Sequence, residues 1–350
     1  MIACVVHGAH DVRVEDVPEQ PVGQGQVEVA VAIGGICGSD LSYYLKGGVG
    51  DFVLREPMVL GHEVAGTVAR VGPGVDPATS GRRVVVNPGR PCGTCHRCRT
   101  GRSNICDDVL FLGSAARFPH VQGGFRERLV VDAVQAVVVP DGLALDAAVF
   151  AEPLAVAIHA AHRAGDVSAG SVIIVGAGPV GALLTLVARH AGCADVTVAD
   201  LRDTALRTAE RAGATRTVNI SAGHDGLGLA DVVFEASGSA AGLATALQSV
   251  VRGGIVVQLG LLPGGNVALP GNLIVAREID VRGSFRFTSG EFEEALAALA
   301  GGLQVAPLVT AQLGIDVAPE AFELAADRTA SVKVQLRFGG SRRAAAEMAG

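Results

Sequence analysis

Short runs of β-branched and apolar residues, each closed by Gly, Pro or Asn, recur through the first 150 residues: EVAVAIGG, VAGTVARVG, RRVVVNP and AVVVP. Runs of that length bounded by turn residues predict strands. At FAEPLAVAIHAAHRAG, beginning at Phe150, the pattern turns alanine-rich and predicts a helix. From residue 171 to about 286, strand-like SVIIVG, DVTVAD, ADVVFEA and GIVVQLG alternate with helix-like GALLTLVARHAG, RDTALRTAERAG and AAGLATALQSVVRG. That alternation predicts βαβ units and a parallel sheet. Beyond 290, FEEALAALAGG and APEAFELAAD predict amphipathic helices and SVKVQLRF a last strand. The small, polar GGSRRAAAEMAG tail is expected to fray.

Composition narrows the class. At 350 residues the chain exceeds what one core usually supports, so two domains are expected. With 49% hydrophobic and 18% charged residues it is a packed α/β composition, not a disordered one. A net charge of −7 argues against nucleic acid as a partner, because phosphate binding needs a concentrated basic surface. The apolar stretch VIIVGAGPVGALLTLVA nearly reaches bilayer length. A Gly-x-Gly-Pro break lies inside it and Arg189 and His190 close it, so no membrane span is expected. The opening MIACVVHGAHDVRVED lacks the basic region and cleavage site of a secretory signal. Seven cysteines without such a signal predict metal or catalytic roles and a cytoplasmic location. Cys4 and Cys193 read as small buried apolar residues.

Two constellations carry chemistry. VIIVGAGPVG sets Gly176, Gly178 and Gly181 in a G-x-G-x-x-G pattern after a predicted strand, with Pro179 and Val180 opening a predicted helix. Asp200 ends the next strand, nineteen residues beyond Gly181. Glycines there allow a tight turn and close backbone approach, the helix N-terminus takes a pyrophosphate, and the acid accepts from a ribose hydroxyl. NAD is thus favoured over NADP, although Arg202, two residues past the acid, offers a partner for a 2′-phosphate.

The second constellation is metal-like. Cys92, Cys95, Cys98 and Cys106 follow a C-x2-C-x2-C-x7-C spacing. Four thiolates on one loop close tetrahedrally around zinc and leave no open position; an iron–sulfur cluster and a nucleic-acid zinc ribbon are the alternatives. His96 lies inside the loop but is not needed as a ligand. Elsewhere, Cys37 in GGICGSD and the adjacent His62 and Glu63 in PMVLGHEVAG interrupt apolar sequence. Alone, each reads as a buried cysteine, a satisfied core histidine and a surface glutamate. Together with a carboxylate, Cys37 and His62 form a mixed S/N/O set suited to a zinc that keeps one position open.

GHEVAG, CGSD, the four-cysteine loop and GAGPVG together resemble the zinc-containing medium-chain dehydrogenase/reductase family, over residues 1 to about 338. Glu63 after His62, and AEPLAVAIHAAH around Glu152, resemble its polyol dehydrogenase branch. YYLKGGVGDFVLREPMVLGHEVAG, FLGSAARFPHVQGGF and RGSFRFTSGEF resemble the members that oxidise the sugar acid L-idonate at C5. The resemblance implies a β-rich GroES-like catalytic domain over 1–154, a doubly wound parallel-sheet Rossmann domain over 155–287, and a return to the catalytic domain over 288–338. It implies one catalytic and one structural zinc, and a polyol or sugar-acid substrate, with sorbitol, xylitol, galactonate and L-threonine as the other substrate classes. It also implies a homodimer or homotetramer.

Carried over by position, the resemblance places Cys37, His62, Glu63 and Glu152 at the catalytic metal, leaving open which glutamate coordinates. Ser39 matches a proton-relay hydroxyl, but Ser42 stands where many relatives carry a histidine, so the outer relay is open. Leu259, Gly260 and Leu261, with Ser284, Phe285 and Arg286, match contacts to the nicotinamide half. Tyr43, Arg286 and Phe287 match substrate contacts, Arg286 being suited to a carboxylate. Arg117 and His120 are further candidates for that end. His159 and His162 read as packing or surface groups on the joining helix.

Overall fold

The computed structural model describes residues 1–223 and 226–339. The tail expected to fray lies outside the described residues beyond Gly339. In chain order, strands β1 (Ile2–Gly8), β2 (Asp11–Asp16) and β3 (Gln26–Gly35) lead into helix α1 (Gly38–Lys46). Strands β4 (Glu63–Val71), β5 (Arg83–Val86), β6 (Arg128–Asp132) and β7 (Ala136–Val138) follow; all but β6 coincide with the β-branched runs that predict strands. Helix α2 (Ala151–Ala164) then crosses to a regular alternation. This runs β8 (Ser171–Val175), α3 (Pro179–His190), β9 (Asp195–Asp200), α4 (Asp203–Arg211), β10 (Arg216–Asn219) and β11 (Ala230–Glu235). It continues with α5 (Ala240–Gln248), β12 (Val250–Gln258), α6 (Gly271–Arg277) and β13 (Asp280–Gly283). The chain closes with α7 (Ser289–Ala300), β14 (Val309–Gly314), α8 (Ala318–Ala326) and β15 (Lys333–Arg337).

Two main sheets result. The first has seven strands in the order β7-β5-β4-β3-β15-β14, with β6 also paired to β3. β15 returns some 300 residues later in sequence and pairs antiparallel with β3, setting Gln335 against Gly35. The second has six strands in the order β10-β9-β8-β11-β12-β13, all parallel. Its order reverses beside β8, which leaves a crevice at the carboxyl ends of β8 and β11, where such sheets bind ligands.

Helix α2 joins the sheets. One apolar cluster runs from Ile33, Ala65 and Val85 of the first sheet through Leu154, Ala157 and Ile158 of α2 to Val172 and Ile174 of the second. Leu154 is fully buried there, so Leu154→Ala removes about 2–5 kcal/mol of stability. The joint between the sheets is therefore firm, and it fixes the crevice between them.

One expectation is corrected. The helix predicted through SVVRG stops at Gln248, and Val250 already belongs to β12. Valine pairs favour a pleated surface, and β12 docks parallel to β11. Sheet pairing overrides the alanine-rich lead-in. β10 at Arg216–Asn219 is an edge strand with no advance signal, since half of it is exposed.

Candidate active site and metal centres

Gly61 aims the first metal set. Its φ is +93°, and a Cβ would lie 2.1 Å from the buried Phe125 ring, so only glycine turns the chain there. The turn points His62 and Glu63 inward at the start of β4. Cys37 occupies the N-cap of α1, where its N–H donates to Asp40 Oδ2 at 3.0 Å. The other oxygen of Asp40 accepts from Gly61 N at 3.1 Å and lies 3.8 Å from His62 Nδ1. A single buried carboxylate thus ties both segments together.

Ligand atoms of Cys37, His62 and Glu63 lie within 4.8 Å of one another. His62 Nδ1 and Glu63 Oε2 are buried without a hydrogen-bond partner among the described residues. Burial works against a charge on the His62 ring, but Asp40, Cys37 and Glu152 outweigh it and hold its proton affinity well above the ordinary value. A pocket that draws a proton this strongly between sulfur, nitrogen and carboxylate donors also suits a divalent metal, which replaces the proton. The donor set fits zinc.

Lys333 of β15 completes the surroundings. Its Nζ donates to Glu63 Oε1 at 2.5 Å and to Ile36 O at 3.0 Å. Burial opposes its charge, yet the Glu63 carboxylate and the Cys37 sulfur raise its pKa. Glu63 Oε1 is thereby occupied, while Oε2 faces Gly35 so closely that a Cβ there would sit 2.2 Å away. Glu152, in the first turn of α2, lies outside the 4.8 Å set but within electrostatic reach of His62, Glu63 and Lys333. Burial pushes its carboxyl up to about 7.

The surrounding wall is partly aromatic. Phe111 lies 5.6 Å from the His62 ring, centroid to centroid. Its face carries the Arg286 guanidinium at 4.4 Å, and Phe285 covers the same group at 4.8 Å. Arg286 makes no ion pair or hydrogen bond with the described residues, and burial lowers its pKa against the opposing pull of the nearby Glu152 carboxyl. Tyr43 is buried and its hydroxyl accepts from Ala115 N at 2.9 Å. Ser39 sits half-buried in the first turn of α1, and Ser42 Oγ donates back to Gly38 O at 2.9 Å.

The other residues assigned to substrate lie as follows. Phe287 is buried and stacks on Phe292 at 5.7 Å. Arg117 pairs with Asp108 at the surface. His120 is buried, its Nδ1 bonded to Arg117 O at 2.7 Å and its Nε2 accepting from Arg55 N at 2.9 Å. Both ring nitrogens therefore serve backbone partners.

The Gly-rich turn sits at the crevice of the parallel sheet. Gly176 has φ +104° and Gly181 packs so tightly that a Cβ would meet Gly176 O at 1.8 Å. Gly178 caps α3, Pro179 is its first residue and Val180 follows, and nothing lies within 4 Å of the Gly178 Cβ position. That open approach to a helix N-terminus is a seat for phosphate. Asp200 accepts from Ala177 N at 2.8 Å and from Arg202 N and Nε at 3.0 and 3.2 Å. Arg202 also donates to Arg328 O at 3.0 Å. Leu259 and Gly260 both donate to Glu235 O at 3.0 Å, and Leu261 is exposed beside them. Gln258 Oε1 and Ser284 Oγ remain buried without partners among the described residues. These orphan atoms and the glycine cradle fit a dinucleotide.

In the cysteine loop, the sulfurs of Cys92, Cys95, Cys98 and Cys106 lie within 4.8 Å of one another, and all four are free thiols. Amide groups point at them: Cys92 N to Cys106 Sγ at 3.3 Å, Cys95 N to Cys92 Sγ at 3.3 Å and Asp108 N to Cys106 Sγ at 3.3 Å. The Thr94 and Cys95 amides bring Cys92 down to about 6, whereas burial pushes Cys98 up to about 12. A shared zinc would relieve that mismatch by holding all four as thiolates.

Sequence reasoning did not single out Asp40, Lys333 or Phe111. Asp40 was legible as the third residue after the Cys37 cap. Lys333 was legible as the charged residue that opens the last strand, KVQLR. Phe111 carries no signal, because its role depends on a residue 175 positions away.

Residues 23–141 match the alcohol dehydrogenase GroES-like domain family, and residues 179–301 match the zinc-binding dehydrogenase family. An L-idonate 5-dehydrogenase (NAD(P)(+)) of Escherichia coli is 40% identical over 96% of this chain and 98% of its own. A sorbitol dehydrogenase of Bacillus subtilis is 36% identical over 93% of each chain. The crystal structure of the L-idonate 5-dehydrogenase from Escherichia coli superposes with a TM-score of 0.89 at 39% identity, covering 96% of this chain and 98% of that one. No helix of the described residues is long and apolar enough to cross a membrane.

Proposed function

Because the chain belongs to the zinc-binding alcohol dehydrogenase family, among its polyol and sugar-acid dehydrogenases, we propose that it oxidises the C5 hydroxyl of L-idonate with NAD. The product is 5-keto-D-gluconate, and the reaction is reversible. The observation that carries this reading is Arg286: a largely buried guanidinium held between two aromatic rings, with no hydrogen bond or ion pair of its own among the described residues. A sugar-acid carboxylate supplies an ion-pair partner, and a neutral polyol does not.

We assign the catalytic zinc to Cys37, His62 and Glu63, with Glu152 beside it, and the structural zinc to the four cysteines. Zinc in the first set supplies a Lewis acid that lowers the pKa of a substrate hydroxyl, and NAD supplies the hydride acceptor. The chain's own groups do the rest. Asp40 fixes the Cys37 and His62 segments, and Lys333 holds one oxygen of Glu63 so that Oε2 is left for the metal. Glu152 and Ser39 are assigned to receive the hydroxyl proton. Tyr43 and Phe111 wall the site against water, and Arg286 orients the acid end, so that binding energy is spent on alignment.

Asp200 supports NAD over NADP, since a 2′-phosphate would approach its carboxylate while Arg202 is already engaged by Asp200 and the Arg328 carbonyl. A second copy of the chain is assigned to the free edge of the parallel sheet. There β13 ends the hydrogen bonding, and Val275 and Val281 are 79% and 43% exposed. Sedimentation as a monomer at micromolar concentration would remove that assignment.

The test of function is a substrate panel with NAD and NADP on zinc-loaded protein, covering L-idonate, D-galactonate, sorbitol, xylitol and L-threonine. L-Idonate is expected to give the highest kcat/KM. Arg286→Ala is expected to lower kcat/KM for the acids by about 100-fold, the worth of a charge-assisted pair, and to leave the neutral polyols within about threefold. Faster turnover of a neutral polyol, or equal losses for both classes, contradicts the reading.

A further inference from the structure

We propose that the four-cysteine lobe does more than stabilise: through Asn104 it clamps the loop that presents Arg286, and so sets the preference for acidic substrates. The proposal rests on the reading of Arg286 as the carboxylate seat.

Asn104 lies in the turn Ser103–Ile105, inside the span between Cys98 and Cys106, and is buried. Its Nδ2 donates to Phe285 O at 2.9 Å, the carbonyl just before Arg286. The same nitrogen lies 3.2 Å from His159 Nε2 on α2. The contact with a carbonyl fixes which end of the amide is nitrogen, because the alternative would press two oxygens together. His159 Nε2 is then the acceptor, and its Nδ1 is left to donate to Glu291 Oε1 at 2.9 Å. The second oxygen of Glu291 accepts from Thr288 N at 2.7 Å and Thr288 Oγ1 at 2.9 Å.

The chain of bonds therefore holds the Arg286 loop on both sides, at Phe285 and at Thr288. Between them Arg286 has φ +54°, a left-handed conformation uncommon outside glycine. Such a conformation persists where its surroundings over-determine it, and it collects at ligand clamps. The lobe grips the side chain too. Phe111, five residues past Cys106, forms one face of the aromatic pair around the guanidinium. Backbone and side chain of Arg286 are both positioned from the cysteine lobe. Asn104 and His159 touch neither metal set, and nothing in hydride transfer requires them. Holding Arg286 in place is the role that accounts for their burial and their bonds.

Asn104→Ala tests this on the zinc-loaded enzyme with NAD. The expected result is a loss of about tenfold in kcat/KM for L-idonate, mostly through KM, with sorbitol and NAD kinetics within about twofold. Amide hydrogen exchange at residues 284–288 should quicken while residues 176–181 stay as protected as before, and zinc content should be unchanged. Asn104→Ser, which keeps a hydroxyl donor, is expected to recover part of the loss. A parallel fall for acid and polyol, or unchanged exchange at 284–288 in both variants, overturns the clamp. A wild-type enzyme that does not prefer acids sinks the substrate reading instead, and the exchange result alone then decides whether Asn104 positions the loop.

Discussion

The two donor sets in this chain are built in opposite ways. Four cysteines come from one stretch of fifteen residues, lie near the surface and are ordered largely by their own amide groups. Cys37, His62 and Glu63 converge from separate elements, and two further buried charges, Asp40 and Lys333, hold them. A locally made set of four thiolates would saturate a metal and shape a lobe. A site assembled across a sheet leaves room for a substrate, at the cost of burying charges that are stable only in company.

Removing a ligand from each set should separate them most sharply. His62→Ala is expected to lower kcat by about 10³-fold for every substrate, since a Lewis acid is worth several kcal/mol, while thermal unfolding of the protein changes little. Cys95→Ser should do the reverse, lowering the unfolding midpoint and selectively weakening acid substrates. Zinc content should fall from two to one per chain in both variants. Equal kinetic damage from the two changes would erase the distinction.

Lys333 probes how the assembled set is held. Lys333→Met leaves Glu63 buried without its cation, and chemical denaturation should show about 3–5 kcal/mol less stability. If stability is unchanged, the pair is not the brace described here.

The difference also explains what could be read without a structure. The cysteine spacing and the Gly176–Gly181 pattern are contained within short windows, where local geometry dictates use. Cys37 and His62 look like buried core residues until their setting is known. Asp40 and Lys333 act through partners 21 and 270 positions away. Strands β3, β4, β5, β7 and β15 of the first sheet were legible from their runs of β-branched residues, whereas β6 and β14 were not singled out. The start of β12 was not, because its valines follow a helix former and only pairing with β11 decides their state. His159 read as a packing or surface group and is buried, but its bonds to Asn104 and Glu291 arise only when three remote segments meet.

The smallest expected effect lies in that meeting point. Burial alone would raise the Glu291 carboxyl, but hydrogen bonds from His159 and Thr288 outweigh it and bring it from 4.5 down to about 2. A depressed acid adds stability above its unfolded pKa and loses it as pH falls through the folded value. The stability gap between wild type and Glu291→Gln should therefore be constant above about pH 5 and shrink between about 4.5 and 2, as followed by denaturant titration. A gap independent of pH would mean that Glu291 contributes no charge-dependent anchoring.

The most direct measurement is an anomalous difference map at the zinc edge, from crystals grown with zinc and NAD. Two peaks are predicted, one enclosed by Cys92, Cys95, Cys98 and Cys106, and one bounded by Cys37, His62 and Glu63 and facing the crevice of the parallel sheet. A single peak among the four cysteines, with Cys37 and His62 turned from each other, would contradict the account.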